Sequence, residues 1–218
     1  MRKANRIVAS CFFLCLCLLA SGTAWAAEET PMARVKAILD EVMAVQNDQQ
    51  LQGQENRGRR RALIKKTIGQ NFYFEDMARE SLGPHWEKLN AAQRKEFIGV
   101  FQDLFQDSYT KLVLDFLKKE KILYQKEEVK DGQATVNTTI ARMNENIPVD
   151  YSLVLAQGKW LVRDVAIDKV SIVRNYQKSF SRTIQRESYK SLLQKMRRQQ
   201  KAIEKPSAGT GPAGRKQQ

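Results

Sequence analysis

The sequence predicts an α+β fold in which one four-stranded antiparallel sheet packs against several helices. Three features of the 218-residue chain carry that prediction. Apolar residues recur at helical spacing through residues 31–119. From Ile122 the period falls to two, in four runs separated by turn signals, and after Ser171 helical spacing returns. Strands joined by short turns pair as a meander, and such a sheet buries one face under helices.

Thr30-Pro31 offers a capping residue with proline at the first helical position. Val35, Ile38, Leu39, Val42 and Met43 then form an apolar stripe, and the polar stretch 46–53 ends it. A second helix is expected over 54–68, with Leu63, Ile64, Thr67 and Ile68 inward and Arg57, Arg59, Arg60 and Arg61 outward. That arginine run reads as a solvated face, the alternative being contact with a membrane or an acidic partner. Residues 72–82 form a short helix whose Glu75 and Asp76 suit its positive end and whose stop is Gly83-Pro84. Asn90 with Gln93 resembles a capping box. It opens the longest helix, 91–119, whose broad face carries Phe97, Phe101, Leu104, Phe105, Tyr109, Leu112, Val113, Phe116 and Leu117.

The strands show Ile122/Tyr124, then Ala134/Val136/Thr138/Ile140, then Ile147/Val149/Tyr151/Leu153/Leu155, each on one face. The fourth is apolar at both phases, Trp160/Val162 and Leu161/Val165/Ile167, which predicts cover on both faces. Asp131-Gly132, residues 144–146 and Gln157-Gly158-Lys159 are the turns. A helix follows to residue 184, and Tyr189, Leu192, Leu193 and Met196 make a last stripe. Residues 205–218 are rich in Pro, Gly, Ser and Ala and read as a disordered basic tail.

The start of the chain has a basic segment (Arg2, Lys3, Arg6), an apolar run over 7–20 and Ala24-Trp25-Ala26, the pattern of a signal peptide spanning 1–26. The apolar run is shorter than the ~20 residues a membrane span needs. All three cysteines, Cys11, Cys15 and Cys17, fall inside it, so the exported body, 27–204, is expected to be one domain held by its core without disulfides. The formal charge of +13 is uneven: residues 181–218 carry ten basic and two acidic residues, whereas 27–180 carry 24 and 22. A near-neutral body and export both argue against a nucleic-acid partner. Lys190, Lys195, Arg197, Arg198, Lys201 and Lys205 would either meet anionic headgroups transiently or form the solvated face of a terminal helix.

Little chemistry is available. One histidine, His85, and no cysteine outside the leader exclude an ordinary zinc site, a Cys–His pair and a Ser–His–Asp triad, and no phosphate loop or nucleophile elbow occurs. No metal, cofactor or catalytic residue is therefore expected. The surviving alternative is an acid/base Asp with a Tyr donor in an apolar pocket. Asp150, Asp164 and Asp168 with Tyr109, Tyr124 or Tyr151 are the candidates, Asp164 alone being in phase with Trp160 and Val162.

Six motifs stand in order along the chain. They are Phe72-x-Phe-x-x-Met-Ala, Leu82-Gly-x-x-Trp86, Gln93-Arg-x-x-Phe-x-x-x-Phe-x-x-Leu104, Pro148-Val-Asp-Tyr, Gly158-Lys-Trp-Leu-Val-x-Asp-Val, and Val170-Ser-Ile-Val-x-Asn-Tyr-x-x-x-Phe180. Together they resemble the signature of the MlaC family, also called toluene-tolerance auxiliary proteins, over residues 30–200. Hopanoid-associated members called HpnM share the pattern. The resemblance implies a periplasmic phospholipid carrier with a twisted sheet whose concave side faces helices. It also implies exchange of lipid with an inner-membrane transporter complex and an outer-membrane lipoprotein complex. A hopanoid carrier of the same fold is an alternative.

The chain has more bulky apolar residues than a four-stranded sheet needs to close one side, and with that resemblance some are expected to line a lipid pocket. The expected wall is Leu104, Tyr109 and Val113 on the long helix with Tyr124, Val136, Ile140, Val149, Tyr151, Leu153, Val162 and Val165 on the sheet. Val170 and Ile172 are expected to close its mouth.

Overall fold

The computed structural model describes residues 29–204; the expected signal peptide with its cysteines and the tail 205–218 lie outside the described residues. Helix α1 (Pro31–Asn47) starts as its cap dictates, Thr30 Oγ1 accepting from the Ala33 N–H. Val35, Ile38, Leu39 and Val42 are buried, Met43 half-buried.

Helix α2 (Arg57–Asn71) begins and ends three residues later than the spacing suggested. Leu63, expected inward, is exposed; Ile64, Thr67 and Ile68 are buried. Nor is the arginine run a solvated face. Arg57 pairs with Asp115 at 2.7 Å, Arg61 with Asp107 at 3.0 Å, and Arg60 donates to the carbonyls of Leu51 and Gly53. Only Arg59 of the four is exposed. Carboxylates about two turns apart on the long helix, Asp107 and Asp115, drew these cations in, a pairing no local pattern shows.

Helix α3 (Phe74–Leu82) ends at Gly83, whose φ of +51° favours glycine, and passes into a 3-10 turn, Gly83–Lys88. Helix α4 (Ala91–Phe116) opens with the expected capping box of Asn90 and Gln93. It stops three residues short of 119, where Gln46 Nε2 takes the carbonyls of Val113 and Leu117 and Arg142 takes that of Phe116.

Strands β1 (Lys121–Lys130), β2 (Gln133–Ala141), β3 (Asn146–Ala156), β4 (Lys159–Ile167) and β5 (Val170–Ser171) follow, before helices α5 (Ile172–Arg186) and α6 (Tyr189–Glu204). The sheet is antiparallel in the order β1-β2-β3-β4-β5. It therefore has five strands where four were expected. The fifth is two residues long, folded back on Ala166 and Ile167 by a turn at Asp168 (φ 48°) and Lys169 (φ 64°).

Two bulges decide which way the side chains face. In β1 the register slips at Gln125, and in β4 at Arg163. Across the second, Leu153 opposes Val162 and Tyr151 opposes Val165, so Val162 and Val165 share one face although they differ in phase. The bulge thus accounts for Val162 and Val165, while Leu161, buried outside the inner core cluster, shows that the other face of β4 is covered there, as expected. Leu161, opposite Val154, stays on the outer face. That face is otherwise mainly polar, with Thr135, Asn137, Asp150 and Ser152, while the inner face lies under helices. The bulge also throws the Arg163 guanidinium onto Asp76 at 2.9 Å and onto Glu80, tying β4 to α3.

Helix α1 packs on β1 and β2, α3 and α5 on β4, and α6 on α4. Phe97, Phe101 and Phe105, one turn apart on α4, interleave with Tyr176 and Phe180 of α5 at centroid distances of 5.5–6.4 Å. Leu192, Leu193 and Met196 of α6 are buried as the expected docking stripe, and Lys195 and Arg197 pair with Glu187 and Glu96. No described helix is long and apolar enough to cross a membrane.

Candidate functional site

The inner face of the sheet has two unlike ends. At one, Ala134, Val136, Leu153, Trp160 and Val162 are all buried, closed by α3 and the loop before it. Tyr73 donates its backbone N–H to the Val162 carbonyl at 2.8 Å, sealing the free edge of β4 there. At the other end Ile140, Ile147 and Ile167 are only half-buried.

Between that second end, α1 and the last three turns of α4 lies a cavity of about 300 Å³. Its walls are Ile38, Leu39 and Val42 of α1, Ile68 of α2, and Phe105, Tyr109, Leu112, Val113, Phe116 and Leu117 around α4. The sheet adds Ile140, Ile147, Val149, Tyr151, Val165 and Ile167, with Phe72 and Ile172 completing it. One charged residue, Arg142, borders it. Burial, with the phenol of Tyr176 and the carboxylate of Asp164 nearby, pushes the Tyr109 hydroxyl far above its ordinary value; burial does the same to Tyr151. Both phenols stay neutral. Thr138, on the inner face, donates its hydroxyl to the Val149 carbonyl at 2.9 Å and so presents methyl, not oxygen, inward.

Such a lining has one chemical capability, which is to take hydrocarbon out of water. The volume is twice that of an engineered core cavity of ~150 Å³ that accepts benzene, at the lower bound of ligand pockets of ~300–1,000 Å³.

Of the thirteen residues expected in the wall, Tyr109, Val113, Ile140, Val149, Tyr151, Val165 and Ile172 line this cavity. Leu104, next to the cavity-lining Phe105, is buried in the core without lining the cavity, and Val136, Leu153 and Val162 belong to the packed end of the sheet. Tyr124 is half-buried on β1 with the Lys36 amine 5.6 Å over its ring. Val170 is 60% exposed on β5, away from the cavity. The lining residues not foreseen are Ile38, Leu39 and Val42 of α1, read as ordinary core stripe, with Ile68, Phe72, Phe105, Leu112, Phe116, Leu117, Ile147 and Ile167, and Arg142, which sits in the β2–β3 turn where periodicity carries no signal.

The acid/base candidates fare differently. The Arg163 bulge moves Asp164 to the outer face, opposite Ser152. There it accepts from the N–H groups of Val165 (2.9 Å) and Val173 (3.1 Å) and from the Ser171 hydroxyl, fixing the start of α5. Asp150 accepts from Asn137 at 2.6 Å on the same outer face, and Asp168 occupies the last turn. Among the described residues no three His, Cys, Asp or Glu side chains gather as a metal site.

The family model described as MlaC protein matches residues 36–198. None of the curated proteins matches the chain. Among solved structures, a phospholipid-binding protein from Ralstonia solanacearum in complex with a phospholipid is similar, at 20% identity and a TM-score of 0.68. The match covers 80% of this chain and 98% of that one.

Proposed function

The chain belongs to the MlaC family, and from that premise we propose that it is a periplasmic carrier that takes the acyl chains of phospholipids into the cavity between α1, α4 and the sheet. The observation that carries this reading is the cavity's size and lining together: about 300 Å³ bordered by one charged side chain. A void of that size, at ~24 cal/mol per Å³ for cavities left in cores, forfeits at most about 7 kcal/mol, comparable with the ~5–15 kcal/mol that holds a whole domain. Hydrocarbon in the cavity recovers that loss. The related Ralstonia solanacearum protein, of the same fold, was solved with a phospholipid.

The mechanism follows from transfer energies. A two-chain lipid with about 30 methylenes would expose some 20–25 kcal/mol of apolar surface in water at ~0.8 kcal/mol per methylene, so unaided escape from a bilayer is very slow. An apolar cavity exchanges one hydrocarbon environment for another. Net transfer is then close to neutral, and the carrier needs no energy source of its own. Loading and delivery fall to membrane complexes, an inner-membrane transporter and an outer-membrane lipoprotein assembly, as the family resemblance implies.

The test is organic extraction of the purified mature protein followed by mass spectrometry. A stoichiometric diacyl phospholipid is expected. A hopanoid would change the cargo, and an empty, stable protein would overturn the carrier reading.

A further inference from the structure

The apolar cavity adjoins, at Arg142, a second region of different character. Arg142 borders both the cavity and an open depression of about 1080 Å³, lined by six basic residues and three acidic ones. Asp115 is already held by Arg57 at 2.7 Å and Lys111 at 2.6 Å. Lys118, Lys119 and Lys121 are exposed along the depression, and none has a carboxylate within pairing distance among the described residues.

Arg142 is anchored but not satisfied. Its Nη2 donates to the Phe116 carbonyl at 2.6 Å, at the end of α4. The carboxylates of Glu120 and Glu145 stand 3.7 and 3.6 Å away, too far for hydrogen bonds. Its Nε–H is buried with no acceptor. Glu120 stays ionised: burial opposes its charge, but the backbone N–H groups of residues 118–120 and Arg142 hold its carboxyl below the usual range. The depression's excess positive charge therefore comes from the exposed Lys118, Lys119 and Lys121, beside a guanidinium flanked by two carboxylates whose buried Nε–H lacks an acceptor. Guanidinium groups suit phosphate oxygens, which accept short charge-assisted hydrogen bonds from them.

We propose that this depression is a phosphate subsite for the headgroup of an anionic phospholipid, Arg142 contacting the phosphate and Lys118, Lys119 and Lys121 supplying the surrounding field. The proposal rests on the carrier reading, because the chains of the same lipid must occupy the adjoining cavity. It gives the carrier a preference that a site made of tails alone would lack.

Delipidated mature protein is offered dioleoylphosphatidylglycerol or dioleoylglycerol, which share chains and differ in the charged phosphoglycerol headgroup. Wild type should retain the phosphatidylglycerol at least about tenfold better, the scale of one hydrogen bond to a charged group. In Arg142→Gln the ratio should fall to near parity. The triple variant Lys118→Gln/Lys119→Gln/Lys121→Gln, altered only at exposed positions, should lower it a few-fold and flatten its dependence on salt. Equal retention of both lipids by wild type overturns the subsite and leaves the carrier intact; retention of neither overturns both. Inorganic phosphate binding the delipidated protein as tightly as the lipid does would reassign the depression to the free anion.

Discussion

The two ends of the inner sheet face are built from the same residue types and behave differently. At one end, where α3 and the loop before it pack on β4, Val136, Leu153 and Val162 are fully buried. At the other Ile140, Val149 and Ile167 meet α1 and the last turns of α4 across a gap of about 300 Å³. What separates them is the partner. Beside the packed end lie the Phe74 ring of α3 and the loop bonded to Val162, whereas beside the cavity α1 offers the aliphatic Ile38, Leu39 and Val42. What packs against the sheet sets where a core ends and a binding cavity begins.

A charge placed at each end separates them most sharply. Val162→Glu buries a carboxylate among close-packed neighbours and should cost more than about 4 kcal/mol, leaving little folded protein. Val149→Glu points at the cavity, so the protein should fold yet copurify without lipid. Circular dichroism with lipid extraction reads both, and a folded, lipid-loaded Val149→Glu would contradict the placement of the wall.

Truncation gives a smaller contrast. Leu104→Ala opens a new void in the packed core and should cost about 3 kcal/mol. Val113→Ala enlarges a space that already exists and should cost about 1 kcal/mol. Urea denaturation of the two variants in delipidated form measures this, and equal losses would mean that no gap is present.

Helix α4 also has a polar tie to α2 and α6. Asp107, buried on α4, accepts from Lys65 (2.9 Å) and Arg61 (3.0 Å) of α2 and from Gln200 (3.1 Å) of α6. Burial works against its charge, but these donors outweigh burial and hold its carboxyl below the usual carboxylate range. A depressed folded value means that the unfolded chain takes up the proton first as pH falls. Its contribution is therefore complete above about pH 4 and is lost as pH drops through the folded value. Asp107→Asn should lower stability at pH 7 by about 2 kcal/mol and flatten the acid limb of the stability curve.

Periodicity made much of this legible. The caps at Thr30 and Asn90, the switch of period near Ile122 and the glycine-marked turns at Asp131-Gly132 and Gln157-Gly158 lie where local chemistry puts them. What escaped was non-local or unmarked. The turn into β5 uses Asp168-Lys169 without glycine, so nothing announced the fifth strand. Bulges at Gln125 and Arg163 exist only as a register between strands, and they alone reveal that Val162 and Val165 share a face. For the same reason the arginines of α2 seemed solvated until Asp107 and Asp115 were brought to them. Hydrophobicity and phase, with the family resemblance, mark thirteen residues for the pocket; whether an inward residue meets a neighbour or a gap depends on the helix opposite, which pattern alone does not contain.

The location of the acyl chains is tested most directly by methyl-labelled protein loaded with protonated phospholipid, reading nuclear Overhauser contacts from lipid chain to Ile, Leu and Val methyls. Contacts are expected at Val113, Ile140, Ile147 and Val149 and absent at Val136, Leu153 and Val162. Lipid bound without contact to the first group, or touching both groups alike, would contradict a cavity confined to one end of the sheet.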